Sequence, residues 1–420
     1  MSASLQSLRD SAWRNFTQTG LPTTRQEEWK YTSLARISSV LGEAWWRQAD
    51  ASDLAPATVD TYAVAELNAY RIVFADGRLQ SAASDLPEGV TLNSLSELIE
   101  KNAEKAATAL QWDAQAPLFN AANAANSALA HDGVCLCVAD GVVLDKPLYI
   151  LHIATNPGAA HLRHGLWLGK HAEAHVIEHY AGDGAEAGLT HVVTLVHLAD
   201  GASLTHDRLQ HESLHQFHLG RVDVLQHKNS RFISHAVNLG ASLSRLDIAV
   251  ALDGKGAECT LNGLYTLAGR QHGDQHTQID HIVPQCRSRE HYRGVLDGRA
   301  HGVFNGKVVI HKGASGTDSE QHNANLLLSD KAEIDAKPEL VIHHDDVKAA
   351  HGCTVGQLDE KQLFYLKSRG LSDAEARQLL TCAFADSVLT GMSNAAVRRF
   401  VERAAFNKLP GGADMAAALT

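Results

Sequence analysis

The segment 174-AHVIEHY-180 decides the fold of this chain, and 190-THVVTLV-196 repeats its pattern. In both segments apolar and polar residues alternate, which is typical of β-strands with one buried face. Similar runs, punctuated by glycine, continue from about Gly133 to Val355 without long helical patterns. The sequence therefore predicts a mainly β protein, with a β core that we place at residues 121–356.

A short pattern recurs inside this core: a residue suited to a turn, then alanine, a polar residue and an apolar residue. It occurs at His171–Ala174, Gly201–Leu204, Gly240–Leu243, Gly256–Cys259 and Lys331–Ile334. Many short strands joined at small-residue corners suit a β-solenoid, in which each coil buries its face on the next. A β-sandwich or barrel would give similar alternation, and the irregular spacing of the pattern leaves both alternatives open.

Helical patterns flank the core on both sides. Residues 1–120 contain apolar residues at helical spacing and predict a mostly helical N-terminal region. Residues 357–420 predict a second helical region, with helices at about 359–369, from 373 onward and at about 393–406.

The composition limits the classes of function. The 420 residues are 45% hydrophobic and 20% charged, which is ordinary for a globular protein. The net charge of −11 argues against a nucleic-acid or anionic-membrane partner, because an acidic surface repels phosphate groups.

Cysteine usage and the chain start indicate the compartment. The sequence shows no secretory signal and no apolar segment long enough to span a bilayer. The six cysteines are few and scattered, which predicts reduced thiols, and we expect a cytoplasmic protein. They are Cys135, Cys137, Cys259, Cys286, Cys353 and Cys382.

Two matches to functional motifs are not supported by the residues in and around them. His211-Glu212-Ser213-Leu214-His215 fits the HExxH pattern of zinc hydrolases, which needs a helix. Its flanks favour a strand, on which His211 and His215 would lie about 13 Å apart, too far for one zinc ion. The segment Gly302–Val308 resembles a phosphate-binding loop but lacks the Walker A spacing and the Ser/Thr after Lys307.

The segment 345-DDVKAAHGCTVG-356 differs from both of these matches. In an extended chain, His351 and Cys353 would point to the same side, and imidazole and thiolate are good iron ligands. One histidine and one cysteine do not complete a cluster site, so a site here would need ligands from a second chain. The alternative is a hydrogen-bonded histidine beside a buried cysteine.

Several blocks, in order along the chain, resemble the SufD family of iron–sulfur cluster assembly scaffolds. They are 27-EEWKYT-32, the region from Phe119 to Gly133, 281-HIVPQCRS-288, 292-YRGVL-296, 303-VFNGK-307, 323-NANLLL-328, 337-KPEL-340 and the stretch from Asp345 to Gly370. The related SufB family is distinguished by its pattern after His351 and by a cysteine in the later helix. Gly352-Cys353-Thr354-Val355-Gly356 and Tyr365-Leu366 favour SufD.

The resemblance implies a right-handed parallel β-helix core between two helical regions. It also implies a non-catalytic scaffold that pairs with a SufB-like chain. The C-terminal helices, with Tyr365 and Arg369, would dock a SufC-like ATPase, and the isolated chain could form a homodimer.

The resemblance further places a transient iron–sulfur cluster at the SufB-facing surface, with no cofactor held stably by this chain alone. His351 would serve there as an iron ligand. Some family members have cysteine at the position of Ala349, so that thiol is absent here. We include Cys353 only as a neighbouring candidate ligand.

A β-helix carbohydrate-active enzyme is the alternative function. Such an enzyme would need clustered carboxylates beside stacked aromatic residues. Aromatic residues make up 6% of the chain, and no such cluster is legible around Asp280, Asp297 or Asp318.

Overall fold

The computed structural model describes residues 3–111, 116–118 and 120–409, so residues 410–420 of the predicted C-terminal region lie outside the described residues. The N-terminal part combines short helices with three strands. The helices are α1 (Ala3–Thr19), α2 (Ala35–Leu41), α3 (Pro56–Tyr62), α4 (Leu95–Lys101), α5 (Ala103–Ala109) and α6 (Ala121–Leu129). The strands are β1 (Tyr70–Ala75), β2 (Arg78–Ser81) and β3 (Val90–Ser94).

Sixteen further strands form the core. They are β4 (Val134–Val138), β5 (Leu148–Ile153), β6 (Gly158–Leu168), β7 (Glu173–Gly182), β8 (Gly188–Leu198), β9 (Ser203–Glu212), β10 (Gln216–Gln226), β11 (Arg231–Asn238), β12 (Leu243–Leu252), β13 (Glu258–Leu267), β14 (His272–His281), β15 (Arg287–Leu296), β16 (His301–Ile310), β17 (Thr317–Leu327), β18 (Glu333–Ile342) and β19 (Val347–Gly356).

Consecutive core strands alternate between two sheets. The odd-strand sheet has the order β19-β17-β15-β13-β11-β9-β7-β5-β1-β2, and the even-strand sheet has the order β18-β16-β14-β12-β10-β8-β6-β4-β3. Neighbouring strands are parallel except for the β1–β2 and β3–β4 pairs. This arrangement is a parallel β-solenoid of about eight turns, which confirms the predicted fold class and removes the sandwich and barrel alternatives.

The corner pattern has a physical basis. All five of its occurrences lead into a strand, namely β7, β9, β12, β13 and β18. The alanine of the pattern is fully buried at Ala172, Ala202, Ala241 and Ala257, because a larger side chain would not fit inside the corner. The preceding residue often has a left-handed backbone, as at Gly201 with φ 71° and Gly256 with φ 76°.

The C-terminal helices are α7 (Glu360–Ser368), α8 (Asp373–Asp386) and α9 (Ala395–Asn407), close to their predicted positions. The apolar faces of α8 and α9 pack on the outer face of the odd-strand sheet. The helix residues Cys382, Ala385, Val397 and Val401, with Val388 and Leu389 of the turn after α8, pack with the strand residues Ile177, Leu209, Val237, Leu264 and Val295. The interior between the two sheets forms a separate and larger apolar core.

Candidate functional site at the open end of the solenoid

The solenoid ends at β18 and β19, which are the last strands of their sheets. One edge of each strand therefore has no neighbouring strand in the described part of the chain. Each of these edge strands is ten residues long, and their outer N–H and C=O groups are not used by a further coil.

His351 lies on β19 and faces the solenoid interior. Val347 and Ala349 on the same strand pack against the interior residues Val308 and Ile310. Because side chains two residues apart share a face of a strand, His351 and Cys353 point the same way. His351 is nevertheless exposed, since no further coil follows β19 in the described residues.

Cys353 is held by its neighbour on the preceding coil. Its Sγ donates a hydrogen bond of 3.6 Å to the Oδ1 atom of Asn323, the residue paired with it on β17. Burial raises the pKa of the Cys353 thiol. The side chain is therefore a neutral thiol at pH 7 and would need a bound metal ion to become a thiolate ligand.

A column of buried polar residues lies directly behind His351. Parallel register stacks Glu290 of β15, Gln321 of β17 and His351 of β19 on one another. The Gln321 amide donates to Glu290 at 2.6 Å, and the Thr277 hydroxyl donates to the other carboxylate oxygen. Burial raises the pKa of Glu290 to about 7, because a charged carboxylate is poorly solvated there.

A second column supports Cys353. Asn325 donates to the side-chain oxygen of Asn323 at 2.6 Å and to the Thr354 carbonyl at 3.4 Å, and Asn323 donates to the Tyr265 hydroxyl at 3.1 Å. These amides cross-link the last coils, so the end strand is positioned by side chains as well as by its ladder.

The other predicted site residues are Tyr365 on α7 and Arg369 at the C-cap of α7. Tyr365 is 57% exposed, and the Arg369 guanidinium lies 5.2 Å from the centre of its ring. Phe364 is 74% exposed, although Leu363 beside it is buried. These three exposed residues, Phe364, Tyr365 and Arg369, form what we call the α7 patch, which is separate from the His351 site in sequence and element.

Sequence reasoning missed Phe364 and the Glu290–Gln321 column. Phe364 could have been identified from the predicted helix. Adjacent helical residues point about 100° apart, so Leu363 and Phe364 cannot both face the same buried surface. The column had no local signal, because its members are about thirty residues apart and come together only through strand register.

The HExxH match begins in a strand and ends in a turn, and the segment Gly302–Val308 lies in a strand. His211 and Glu212 end β9, and His215 lies in the turn that follows, so this segment forms no helix that presents two histidines to one metal ion. Gly302, Gly306 and Lys307 lie within β16 and do not form a loop. These observations remove the zinc hydrolase and the phosphate-loop interpretations.

The fold and the site define a class: a parallel β-solenoid between helical regions, with an exposed histidine over the open end of its interior. Two family models match the chain. One, described as SUF system FeS cluster assembly, SufBD core domain, matches residues 151–384, and the other, described as SufBD protein N-terminal region, matches residues 1–150.

Curated relatives agree with these models. The iron–sulfur cluster assembly protein SufD of Escherichia coli (strain K12) is 31% identical, over 94% of this chain and 91% of that protein. An iron–sulfur cluster assembly SufBD family protein of Synechocystis is 31% identical over 88% of this chain and 83% of that protein. Protein ABCI7, chloroplastic, of Arabidopsis thaliana is 27% identical over 94% and 84%.

The chain belongs to the SufBD family of the SUF system for iron–sulfur cluster assembly. The predicted resemblance to SufD is confirmed, and the carbohydrate-active enzyme is not favoured. No described helix is both long enough and apolar enough to cross a bilayer.

Proposed function

We propose that this chain is a non-catalytic scaffold subunit that pairs with a SufB-like chain at the open end of its solenoid. The observation that carries this proposal is the position of His351, exposed above two ten-residue edge strands. A partner strand can pair with such an edge through main-chain hydrogen bonds. Pairing there would bring the partner's ligands close to the His351 imidazole.

In this role the iron–sulfur cluster is cargo, which is assembled at the interface and passed on. His351 supplies one neutral imidazole nitrogen, and Cys353 supplies a second ligand only if metal binding displaces its proton. Since a cluster usually takes four protein ligands, the SufB-like chain supplies the remainder. Each chain alone would therefore hold the cluster weakly.

We further propose that the α7 patch docks a SufC-like ATPase. Aromatic residues and arginine are enriched at interface hot spots, and Phe364 and Tyr365 stand out from α7 without packing on the solenoid. The apolar faces of α8 and α9 are occupied by the sheet instead. Truncation after Gly356 would uncover that sheet face, so surface substitutions are the cleaner test of docking.

Replacing Phe364 and Tyr365 together by alanine should weaken binding of the SufC-like ATPase about tenfold or more, because two exposed anchors are lost. Thermal stability should stay nearly unchanged, since both side chains are exposed. Binding would be measured by calorimetry with the purified ATPase. Leu214→Ala is the control, because Leu214 is 59% exposed but lies in the β9–β10 turn. Equal affinities for all three proteins would contradict docking at α7.

The isolated chain should form a concentration-dependent homodimer through the same open end, because two copies can pair their edge strands in an isologous interface. Sedimentation velocity over a wide concentration range measures this association. Adding the SufB-like chain should convert the homodimer to a heterodimer. A chain that stays monomeric at high concentration and fails to copurify with the SufB-like chain would contradict pairing at this end.

A further inference from the structure

Three potential metal ligands meet on the outer face of the even-strand sheet, away from the interior-facing His351. They are His301 on β16 and Glu333 and Asp335 on β18. Register places Glu333 directly beside His301, with Asp335 two residues further along the strand. One ligand atom from each residue lies within 4.8 Å of the other two, and the His301 Nε2 atom is 2.8 Å from an Asp335 carboxylate oxygen.

The His301 imidazole packs against a neighbouring histidine that is itself held by hydrogen bonds. Its ring packs edge-on against His272 of β14, with 4.8 Å between ring centres. The Thr32 hydroxyl lies 2.8 Å from the His272 Nε2 atom and donates to Asp274, which also accepts from Arg245 at 2.9 Å. These contacts restrain His272, and strand backbone positions His301, so one ligand of the cluster is largely preorganised.

Among the described residues, no lysine or arginine pairs with the carboxylates of Glu333 and Asp335, and the partner of Asp335 is His301 itself. The Glu333 side chain is exposed and makes no hydrogen bond or ion pair within the described ranges. Lys337, two residues beyond Asp335, is occupied by Glu27 at 2.8 Å and Glu339 at 3.5 Å. Two carboxylates this close repel each other, and a bound cation would relieve that repulsion.

We propose that His301, Glu333 and Asp335 bind one divalent first-row transition-metal ion, with water completing its coordination. One imidazole and two carboxylates suit ions such as Zn²⁺, Co²⁺ and Fe²⁺. The imidazole disfavours Mg²⁺ and Ca²⁺, which prefer oxygen ligands. The cluster contains no thiolate, so its chemistry does not favour Cu⁺ or an iron–sulfur cluster. All three ligands come from this chain, so the site does not require a partner, although β18 is also one of the two edge strands at the open end.

The test is a titration of the untagged full chain with Co²⁺, followed by visible absorption, and then competition with Zn²⁺ and Mg²⁺. Three variants, His301→Ala, Glu333→Gln and Asp335→Asn, should each lose one bound equivalent or weaken it about tenfold or more. Glu333→Gln keeps the test valid if another variant misfolds, because Glu333 is exposed and has no side-chain partner in the described part of the chain.

His311→Ala is the matched control. The His311 Nε2 atom is 2.7 Å from an Asp280 oxygen. His311 therefore pairs with a carboxylate as His301 does, but it lies outside the three-residue ligand cluster. This variant should bind Co²⁺ as the unmodified chain does. Equal loss in His301→Ala and His311→Ala, or no loss in any variant, would show that His301 and Asp335 are an ion pair only. Displacement of Co²⁺ by millimolar Mg²⁺ would overturn the proposed metal class.

Discussion

Replacing His351 by alanine should leave the solenoid folded and lower cluster assembly in the reconstituted complex about tenfold to a hundredfold. The stability change should stay within about 0.5 kcal/mol, because the side chain is exposed and no further coil of the described chain packs on it. The functional loss should be large because the proposed site has few ligands from this chain. Assembly is measured by the visible absorption of the cluster and by its transfer to an acceptor protein.

His322→Ala is the matched control for this experiment. His322 lies on the adjacent strand β17, but its ring is on the outer face, where it bonds Glu320 at 2.7 Å. It should leave cluster assembly unchanged. If His351→Ala folds and assembles the cluster normally, His351 is required for neither folding nor assembly. If that variant fails to fold, His351 is a core residue. Cys353→Ala then tests whether the nearby thiol replaces the one missing at Ala349.

The residue pattern predicted a mainly β core because its signals are local, and the family resemblance favoured a solenoid over a sandwich or barrel. Alternation in segments such as 174–180 follows from one buried face, and the corner alanines such as Ala257 follow from lack of space within a turn. The order of the strands within two sheets was not readable, because successive strands of one sheet begin 27 to 32 residues apart in the region from β6 to β18. The same irregularity made the corner pattern look like weak evidence of a repeat.

The candidate site was predictable only in part. The pair His351 and Cys353 was recognisable from adjacent residues, and the structure places both on one face of an end strand. The polar column behind them depends on register across three coils, so Glu290 and Gln321 carried no motif. The C-terminal helices were also predictable only in part. Their approximate positions followed from the sequence, but the division between the buried faces of α8 and α9 and the exposed Phe364 required the packed structure.

Glu290→Gln should remove a pH dependence of stability that the unmodified chain shows between about pH 4.5 and pH 7. The pKa of Glu290 is raised by burial to about 7 in the folded chain, against about 4.3 when unfolded. Between these values the folded state binds more protons, so stability falls as pH rises and levels off above pH 7. The shift corresponds to about 4 kcal/mol of stability, which the unmodified chain should lose over this pH range and the glutamine variant should not.

Glu212→Gln is a control in the same solenoid interior, because the pKa of Glu212 is lowered in the folded chain whereas the pKa of Glu290 is raised. Burial alone would raise the pKa of Glu212, but His218, Thr190 and Gln210 all donate hydrogen bonds to its carboxylate, and together with the His218 charge they lower it. Its charged form is therefore stabilising above the unfolded pKa, and the glutamine should destabilise the chain at pH 7 by about 1–3 kcal/mol.

Denaturant midpoints at pH 5 and pH 8 for the two variants and the unmodified chain measure both effects. If Glu290→Gln shows the same loss between pH 5 and pH 8 as the unmodified chain, Glu290 does not take up a proton on folding. Its carboxylate would then be charged behind His351, and the two donors Gln321 and Thr277 would suffice to hold that charge.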